Sequence, residues 1–438
     1  MPVSNKLNAS RGRNIRGLLI SISALLPTFA PACAAEEKPQ QNWIATWTTA
    51  NTDIANPVMQ AILKPPHEPT EFSNQTIRAI VRTTIGGRAL RVRLANTYGT
   101  APITFDAVFV GTQKQGASIV AGSNHAVTFG GAKSVTLPEG SDALSDPIPL
   151  AAAPQQNLVI SLYTSKPTGP ATAHLSAFQT NYASDEGNHA AEEGNEAFTK
   201  TSSSWFFLEE VDVLPEKEGA GAIVALGDSI TDGSSSKPNA YERWTDVLAR
   251  RLDENHPTQT FGVLNAGIGG NRVLSSSPCF GENALSRLDR DVFAPSGVRS
   301  VILFEGTNDI GQPDTHSEAK YEPCLAKTHV SADDLIAGYK QIIAQSHARH
   351  LKIFGATILP FQGFNGWTER GEATRVAVNH WIRQAHAFDG VIDFSAALAD
   401  PSDSKKMAAQ YDSGDHLHPN SAGHAAMARA IDLTMFSK

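Results

Sequence analysis

The 438-residue chain predicts two folded domains of different class: an all-β sandwich of jelly-roll type, then an α/β domain built on a parallel sheet. Three observations carry that expectation. The length exceeds what one ordinary core accommodates. From about residue 42 to 212, apolar and polar residues alternate with period two. After residue 222, short apolar runs alternate instead with stretches of helical period. An apolar content of 41% with 18% charged residues is that of a folded protein rather than a disordered one.

Residues 1–35 read as a secretory signal peptide. Lys6, Arg11, Arg13 and Arg16 precede the apolar run GLLISISALLPTFAPACAA, and Ala32-Cys33-Ala34 has the small-x-small form of a cleavage site. Pro27 and Pro31 interrupt the run, which is short for a membrane span, so stable membrane insertion is not expected. Lipid attachment at Cys33 is the alternative to cleavage, and Pro31 disfavours it. The expected destination is the periplasm or the exterior. Removing residues 1–34 takes away four positive charges and no negative one, which moves the formal charge from −8 to −12. Such a chain offers no electrostatic footprint for nucleic acid or an anionic membrane. Two cysteines remain, Cys279 and Cys324, an even number in an oxidising compartment, which predicts one disulfide. Two buried free thiols are the alternative. Neither cysteine sits in a Cys-x-x-Cys or Cys-His arrangement, so thiol or metal catalysis is not expected of them.

The β domain is placed at 36–213. TIRAIVRTTIGGRALRVRLANTYG alternates, breaks at Gly86-Gly87 and alternates again, which reads as a hairpin. ITFDAVFVG, HAVTFGG, NLVISLYTS and AHLSAFQT continue in the same style, and no convincing amphipathic helix interrupts them. Trp43 and Trp47 have the aromatic faces to stack on sugar rings, but tryptophans so placed more often fill a core. LPEKEGAGA, residues 214–222, is polar and glycine-rich, a linker.

Residues 223–438 form the second domain. Its strand candidates are 223–226, 261–265, 300–305, 353–358 and 391–394. Trp244, Val247, Leu248 and Leu252 share one helical face, as do Leu335, Tyr339, Ile342 and Ile343. Ser331 followed by Asp334 predicts a helix N-cap. Alternating strands and helices imply a parallel sheet covered on both faces, with ligands bound beyond the carboxyl ends of its strands. The chemically suggestive residues fall at those ends.

Ser229, in GDSITDG, follows directly on the first strand. A serine hydroxyl attacks well only when a neighbouring base takes its proton; alone, Gly-Asp-Ser is also ordinary turn material. Asp228 reads as a turn-stabilising carboxylate. Among fourteen histidines a single one means little, but YDSGDHLHPNSAGH places Asp415 three before His418, ahead of a helix capped by Asn420. Asp415 then orients the imidazole and His418 acts as base, with His416 and Asp412 the rival base and carboxylate. A zinc reading of His416, His418 and His424 is weaker. NAGIGGNRV supplies exposed backbone N–H groups and LFEGTNDIG supplies the amide of Asn308, both suited to a developing oxyanion. Neither Gly-x-Gly-x-x-Gly nor Gly-Lys-Ser/Thr is present for phosphate.

Taken together and in order, GDSITDG, NAGIGGN, EGTND and DHLHP resemble the four blocks of the SGNH hydrolases, also called GDSL esterases and lipases. The resemblance covers residues 222 to about 436. It implies a flavodoxin-like three-layer α/β/α fold, with Ser229, Asp415 and His418 as the catalytic triad. It also implies an oxyanion hole from the backbone N–H of Ser229 and of Gly270 and from the Asn308 side chain, with no cofactor or metal. Ile230 stands where the family name has leucine. LSRLDRDVFAPSGVRSVILFEGTNDIG and TILPFQGFNGWTERGEATRVAVNHWIR look like a two-domain secreted subgroup that includes xylan-deacetylating esterases. The expected function is therefore ester hydrolysis through an acyl-enzyme, with an acylated carbohydrate as substrate and a monomer as the working form. A GDSL-type lipase or lysophospholipase, a catalytically silent carbohydrate-binding protein and a metal-dependent hydrolase are the alternatives. In FQGFNGWTERGE, Phe364 and Trp367 are candidates to line a substrate pocket, and Arg272 to meet a substrate acid or to pair with Asp309.

Overall fold

The structure, a computed structural model, describes residues 42–63, 70–255 and 260–437. The signal-peptide assignment at 1–35 lies outside the described residues. Elements are numbered below from the parallel sheet onward; the preceding strands are given by their residues.

The amino-terminal part is built from antiparallel pairs. One sheet orders Ile44–Thr48, Leu208–Val213, Leu90–Ala95 and Asp142–Leu144; a larger one centres on Gln75–Arg82, Asn157–Thr164 and Ala107–Gln115. Alternation does here what period two requires. Ile77, Ala79 and Val81 join a core that also holds Val92, Leu94 and Val211 of the first sheet, whereas Ile80 packs on the opposite face with Ile119 and Val159. Trp47 fills this core edge-on to Trp205, with ring centroids 5.0 Å apart, and Trp43 is buried under the Arg91 guanidinium. Among the described residues of this part, a short helix, Pro57–Ile62, capped by Asn56, is the helical exception.

The hairpin expected at Gly86-Gly87 is not formed. Gln75–Arg82 pairs with Asn157–Thr164 and Asn181–Glu186, while Leu90–Ala95 pairs with Leu208–Val213 and Asp142–Leu144, so the chain crosses between sheets. The glycines serve close approach instead. A Cβ on Gly86 would lie 2.5 Å from the Ala152 carbonyl oxygen, and one on Gly87 would lie 2.6 Å from that of Leu214.

The second part is a five-stranded parallel sheet: β1 (Gly221–Gly227), β2 (Phe261–Gly267), β3 (Val298–Phe304), β4 (Lys352–Ala356) and β5 (Gly390–Ile392). Its spatial order is β2-β1-β3-β4-β5, the order of doubly wound sheets whose ligands gather at the β1/β3 crevice. Every residue of β1 is buried, as a strand covered on both faces must be. Val224, Leu226, Val301 and Leu303 pack toward α4 (Ala332–Ala348) and α5 (Glu369–Gln384). Ile223, Ala225, Ile302 and Phe304 pack toward α2 (Trp244–Asn255) and α6 (Ser421–Ala430). The Ser331–Asp334 pair forms a reciprocal capping box at the start of α4.

Gly221 and Ala222, at the end of the expected linker, already belong to β1. The hydrophobic core runs on through this junction, so that Val92 and Val213 share it with Val224 and Leu264. Ala45 donates its N–H to Ser296 O at 2.9 Å, and Gly262 lies against the Ala45 carbonyl. The antiparallel part is thus fused along the β2 side of the parallel sheet. Among the described residues no helix is long and apolar enough to cross a membrane.

Candidate active site

β1 ends at Gly227, and the chain turns at once into the four-residue helix α1 (Ser229–Asp232). Asp228 caps it, accepting the Ile230 N–H at 3.0 Å, and Gly233 ends it at φ +112°. Gly227 has no room for a side chain, since a Cβ would lie 2.2 Å from Thr231 Oγ1 and 2.6 Å from Phe304 O. This tight strand-to-helix turn presents Ser229 at the carboxyl end of β1, beside the β1/β3 crevice, 9% exposed.

The Ser229 hydroxyl lies 2.9 Å from His418 Nε2, and His418 Nδ1 lies 2.6 Å from Asp415 Oδ2. A carboxylate only accepts, so Nδ1 carries the hydrogen and Nε2 presents a lone pair to the serine hydroxyl. The other carboxylate oxygen accepts from the Leu417 N–H, the His418 N–H and the Ser413 hydroxyl. Half-burial desolvates Asp415, but these bonds to His418 outweigh that and hold its carboxyl well below the usual range. Asn420 fixes the loop from below: its side chain caps α6 and donates to Gln410 O and Asp412 O.

The carboxyl end of β2 leads into Ile268–Asn271. Gly270 adopts φ +73°, and its carbonyl accepts from Gln312 Nε2 at 2.8 Å. Asn308, in α3 (Thr307–Gly311) after β3, donates one amide hydrogen to Asn271 O at 3.0 Å and keeps a second. That bond holds the Asn308 amide beside the Asn271–Arg272 peptide, one residue on from Gly270. Beneath this surface Arg287 is fully buried and ties the strand ends together, donating to Gly227 O, Ala266 O and Asn271 Oδ1.

Arg287 pairs with the buried Asp291 at 3.1 Å and lies 3.7 Å from a Glu305 carboxyl oxygen, and further buried acids sit close by. Burial pushes Asp228 and Asp309 up to about 6 each, and raises Glu305 well above the ordinary glutamate value, with neighbouring Asp228 adding to the shift. Asp309 accepts from the Val273 and Leu274 N–H groups, and neither Glu305 carboxyl oxygen has a hydrogen-bond partner.

Arg272 requires a correction. It is 3% exposed and its guanidinium donates to Ser275 O, Ser276 O and Gln312 Oε1, so it braces the loop from inside and presents no face to a substrate; no ion pair joins it to Asp309. The 361–372 loop lies beside the site. Gly363 abuts the His416 ring, and the Phe364 ring edge reaches toward Gly311 at the end of α3. Trp367 is half-buried, with Lys405 over its ring. His416, the rival base, bonds its own partner, Asp412 Oδ2, at 2.6 Å, and is exposed. His424 is buried under Ser234 O, and burial lowers it to about 4. The three histidines do not converge, and among the described residues no group of three or more metal-binding side chains forms a site. Cys279 and Cys324 form a disulfide closing a separation of 45 residues. Sequence reasoning missed Arg287: an arginine inside SRLDRD carries no local signal of complete burial.

Residues 225–426, which carry all of these groups, match the model of the GDSL-like lipase/acylhydrolase family. This part of the chain belongs to that family. The GDSL-like domain makes the protein a carboxylic ester hydrolase. Similar solved structures include a variant of an acetyl xylan esterase from Geobacillus stearothermophilus, 22% identical, covering 48% of this chain and 92% of that one, with a TM-score of 0.37. A GDSL-like lipase from Bacteroides thetaiotaomicron is 16% identical, covering 49% and 88%, with a TM-score of 0.35. An α/β hydrolase from the metagenome of Lake Arreo, Spain, is 20% identical, covering 48% and 92%, with a TM-score of 0.36. No match is found among curated proteins.

Proposed function

We propose that the chain is an exported serine esterase that removes acetyl groups from carbohydrate. Ser229 attacks the ester carbonyl while His418 Nε2 takes its proton, and Asp415 holds the ring in the tautomer that can do so. The Ser229 and Gly270 N–H groups and the free hydrogen of the Asn308 amide receive the oxyanion. His418 then protonates the departing alcohol. Water, activated by the same nitrogen, cleaves the acyl-enzyme and restores Ser229. No step calls on a cofactor or a metal.

What carries the reading is the unbroken hydrogen-bond chain from Ser229 Oγ through His418 to Asp415. Export is supported by the basic-then-apolar amino terminus and by the disulfide. The strand order and two helical layers support a flavodoxin-like domain at 223–438, and the antiparallel sheets sharing one core support a jelly-roll-like sandwich at 36–213. A carbohydrate alcohol is favoured by the acidic charge and by Phe364 on the loop beside the site.

The test is a panel of acyl esters of rising chain length together with acetylated xylan, run on wild type and Ser229→Ala with acetate release measured. Preference for acetyl and release from xylan by wild type alone is the expected result. Rates rising with chain length would overturn the substrate assignment.

A further inference from the structure

The antiparallel part reaches the nucleophile's own helix through a buried histidine. His174 ends the short strand Thr172–His174 and is 4% exposed. Its Nε2 lies 2.9 Å from Asp232 Oδ1 and its Nδ1 lies 2.8 Å from Ala50 O. A carbonyl and a carboxylate both only accept, so both ring nitrogens carry hydrogen and the ring is an imidazolium. Burial opposes that charge, and the neighbouring Asp232 carboxylate outweighs it, leaving the His174 pKa raised.

Asp232 is the last residue of α1, one turn after Ser229. Its carbonyl accepts from Arg243 Nε at 2.6 Å, and Arg243 reaches on to Ala177 O of the antiparallel part. Gly267, ending β2, lies against this turn, where a Cβ would come within 2.2 Å of Asp232 N. A helix of four residues cannot hold itself, and cations at its carboxyl end are what stabilise it. Both cations here are anchored in residues 50–177.

We infer that His174 is a positioning residue: through Asp232 it fixes the helix that carries Ser229, and it makes the antiparallel part a working component of the active site. This rests on Ser229 being the nucleophile. Displacing a reacting atom by about 1 Å costs on the order of 100-fold in rate. Arg243 is a second side-chain tie from this turn to the antiparallel part, but it reaches only the Asp232 backbone carbonyl, whereas His174 holds the Asp232 side chain itself. Deprotonation of His174 leaves either Ala50 O or Asp232 without its donor. The charged and titratable groups around the ring are Asp232 on α1, Arg243 ahead of α2 and Asp53 on the adjacent strand. Arg82, Tyr241, Asp246 and Tyr321 line the same clefts.

The experiment compares wild type with His174→Gln, which keeps one donor without charge, His174→Ala, which keeps none, and Asp232→Asn. Turnover of p-nitrophenyl acetate is expressed per active site titrated with a fluorophosphonate, so that unfolded protein does not count. Expected are losses in kcat of about tenfold for His174→Gln and about 100-fold for His174→Ala, with KM within threefold. Wild-type kcat falls at alkaline pH, and that limb is absent in His174→Gln. A kcat per titrated site within twofold of wild type in all three variants, or an alkaline limb unchanged in His174→Gln, overturns the inference. Wild-type turnover by Ser229→Ala would show instead that the nucleophile is misassigned, and the positioning role would fall with it.

Discussion

The hydroxyl oxygen of Ser229 lies 2.9 Å from Nε2 of His418, a residue 189 positions further along the chain. Two separate loops supply them, one at the end of β1 and one ahead of α6, and each loop is fixed by its own side-chain caps. Ser229→Ala and His418→Ala are expected to lose roughly 10⁴- to 10⁶-fold in kcat on p-nitrophenyl acetate, with a double variant little worse than either, because the pair acts as a unit. Asp415→Asn should cost on the order of 10⁴-fold by favouring the wrong tautomer. Steady-state kinetics on purified variants checks all three.

Asn308 has one amide hydrogen committed to Asn271 O and one left over. If the free hydrogen meets the oxyanion, Asn308→Ala lowers kcat by about 10²- to 10³-fold and moves KM little. A rise in KM with kcat unchanged would assign Asn308 to ground-state binding instead.

Glu305 is buried with neither carboxyl oxygen hydrogen-bonded and the Arg287 guanidinium 3.7 Å away; burial, with Asp228 adding to it, outweighs that cation and raises its pKa well above 4.5. A raised pKa in the folded protein gives stability that is fully present below the unfolded value and is lost as pH rises through the folded one. Glu305→Gln keeps the shape and cannot ionise. Its thermal midpoint should therefore fall less than that of wild type between pH 6 and pH 9, as calorimetry at several pH values would show. Parallel curves for the two proteins would contradict a raised Glu305 pKa.

The Cys279–Cys324 disulfide closes a 45-residue separation between two loops. Removing it by Cys279→Ser is expected to cost about 2–4 kcal/mol by the loop-closure argument, measured as a lower guanidinium midpoint. Reductant should then shift the wild-type midpoint and leave that of the variant unmoved.

Much of the α/β part was legible in the sequence because its signals are local. Continuous apolar runs marked strands buried on both faces, and Ser331 with Asp334 marked a helix start by capping chemistry alone. The Asp415-x-x-His418 pair was legible because its geometry is made within one short loop. What was not legible depends on contacts between distant segments. Gly86-Gly87 looked like a hairpin because glycine pairs usually turn; here they allow backbones from residues 152 and 214 to approach. Arg272 looked available because arginine is seldom buried, yet three acceptors from its own loop and α3's neighbourhood take it inside. Arg287 and His174 gave no sign at all, since the carbonyls and carboxylates that draw them in arrive from other elements.

The most direct measurement is covalent labelling with a fluorophosphonate, followed by peptide mass mapping and residual ester hydrolysis on the same sample. The account predicts one adduct per chain, on Ser229, with activity lost in proportion to labelling and no adduct in Ser229→Ala. Inactivation with the adduct on any other residue, or full activity in a protein whose Ser229 is completely modified, would contradict it.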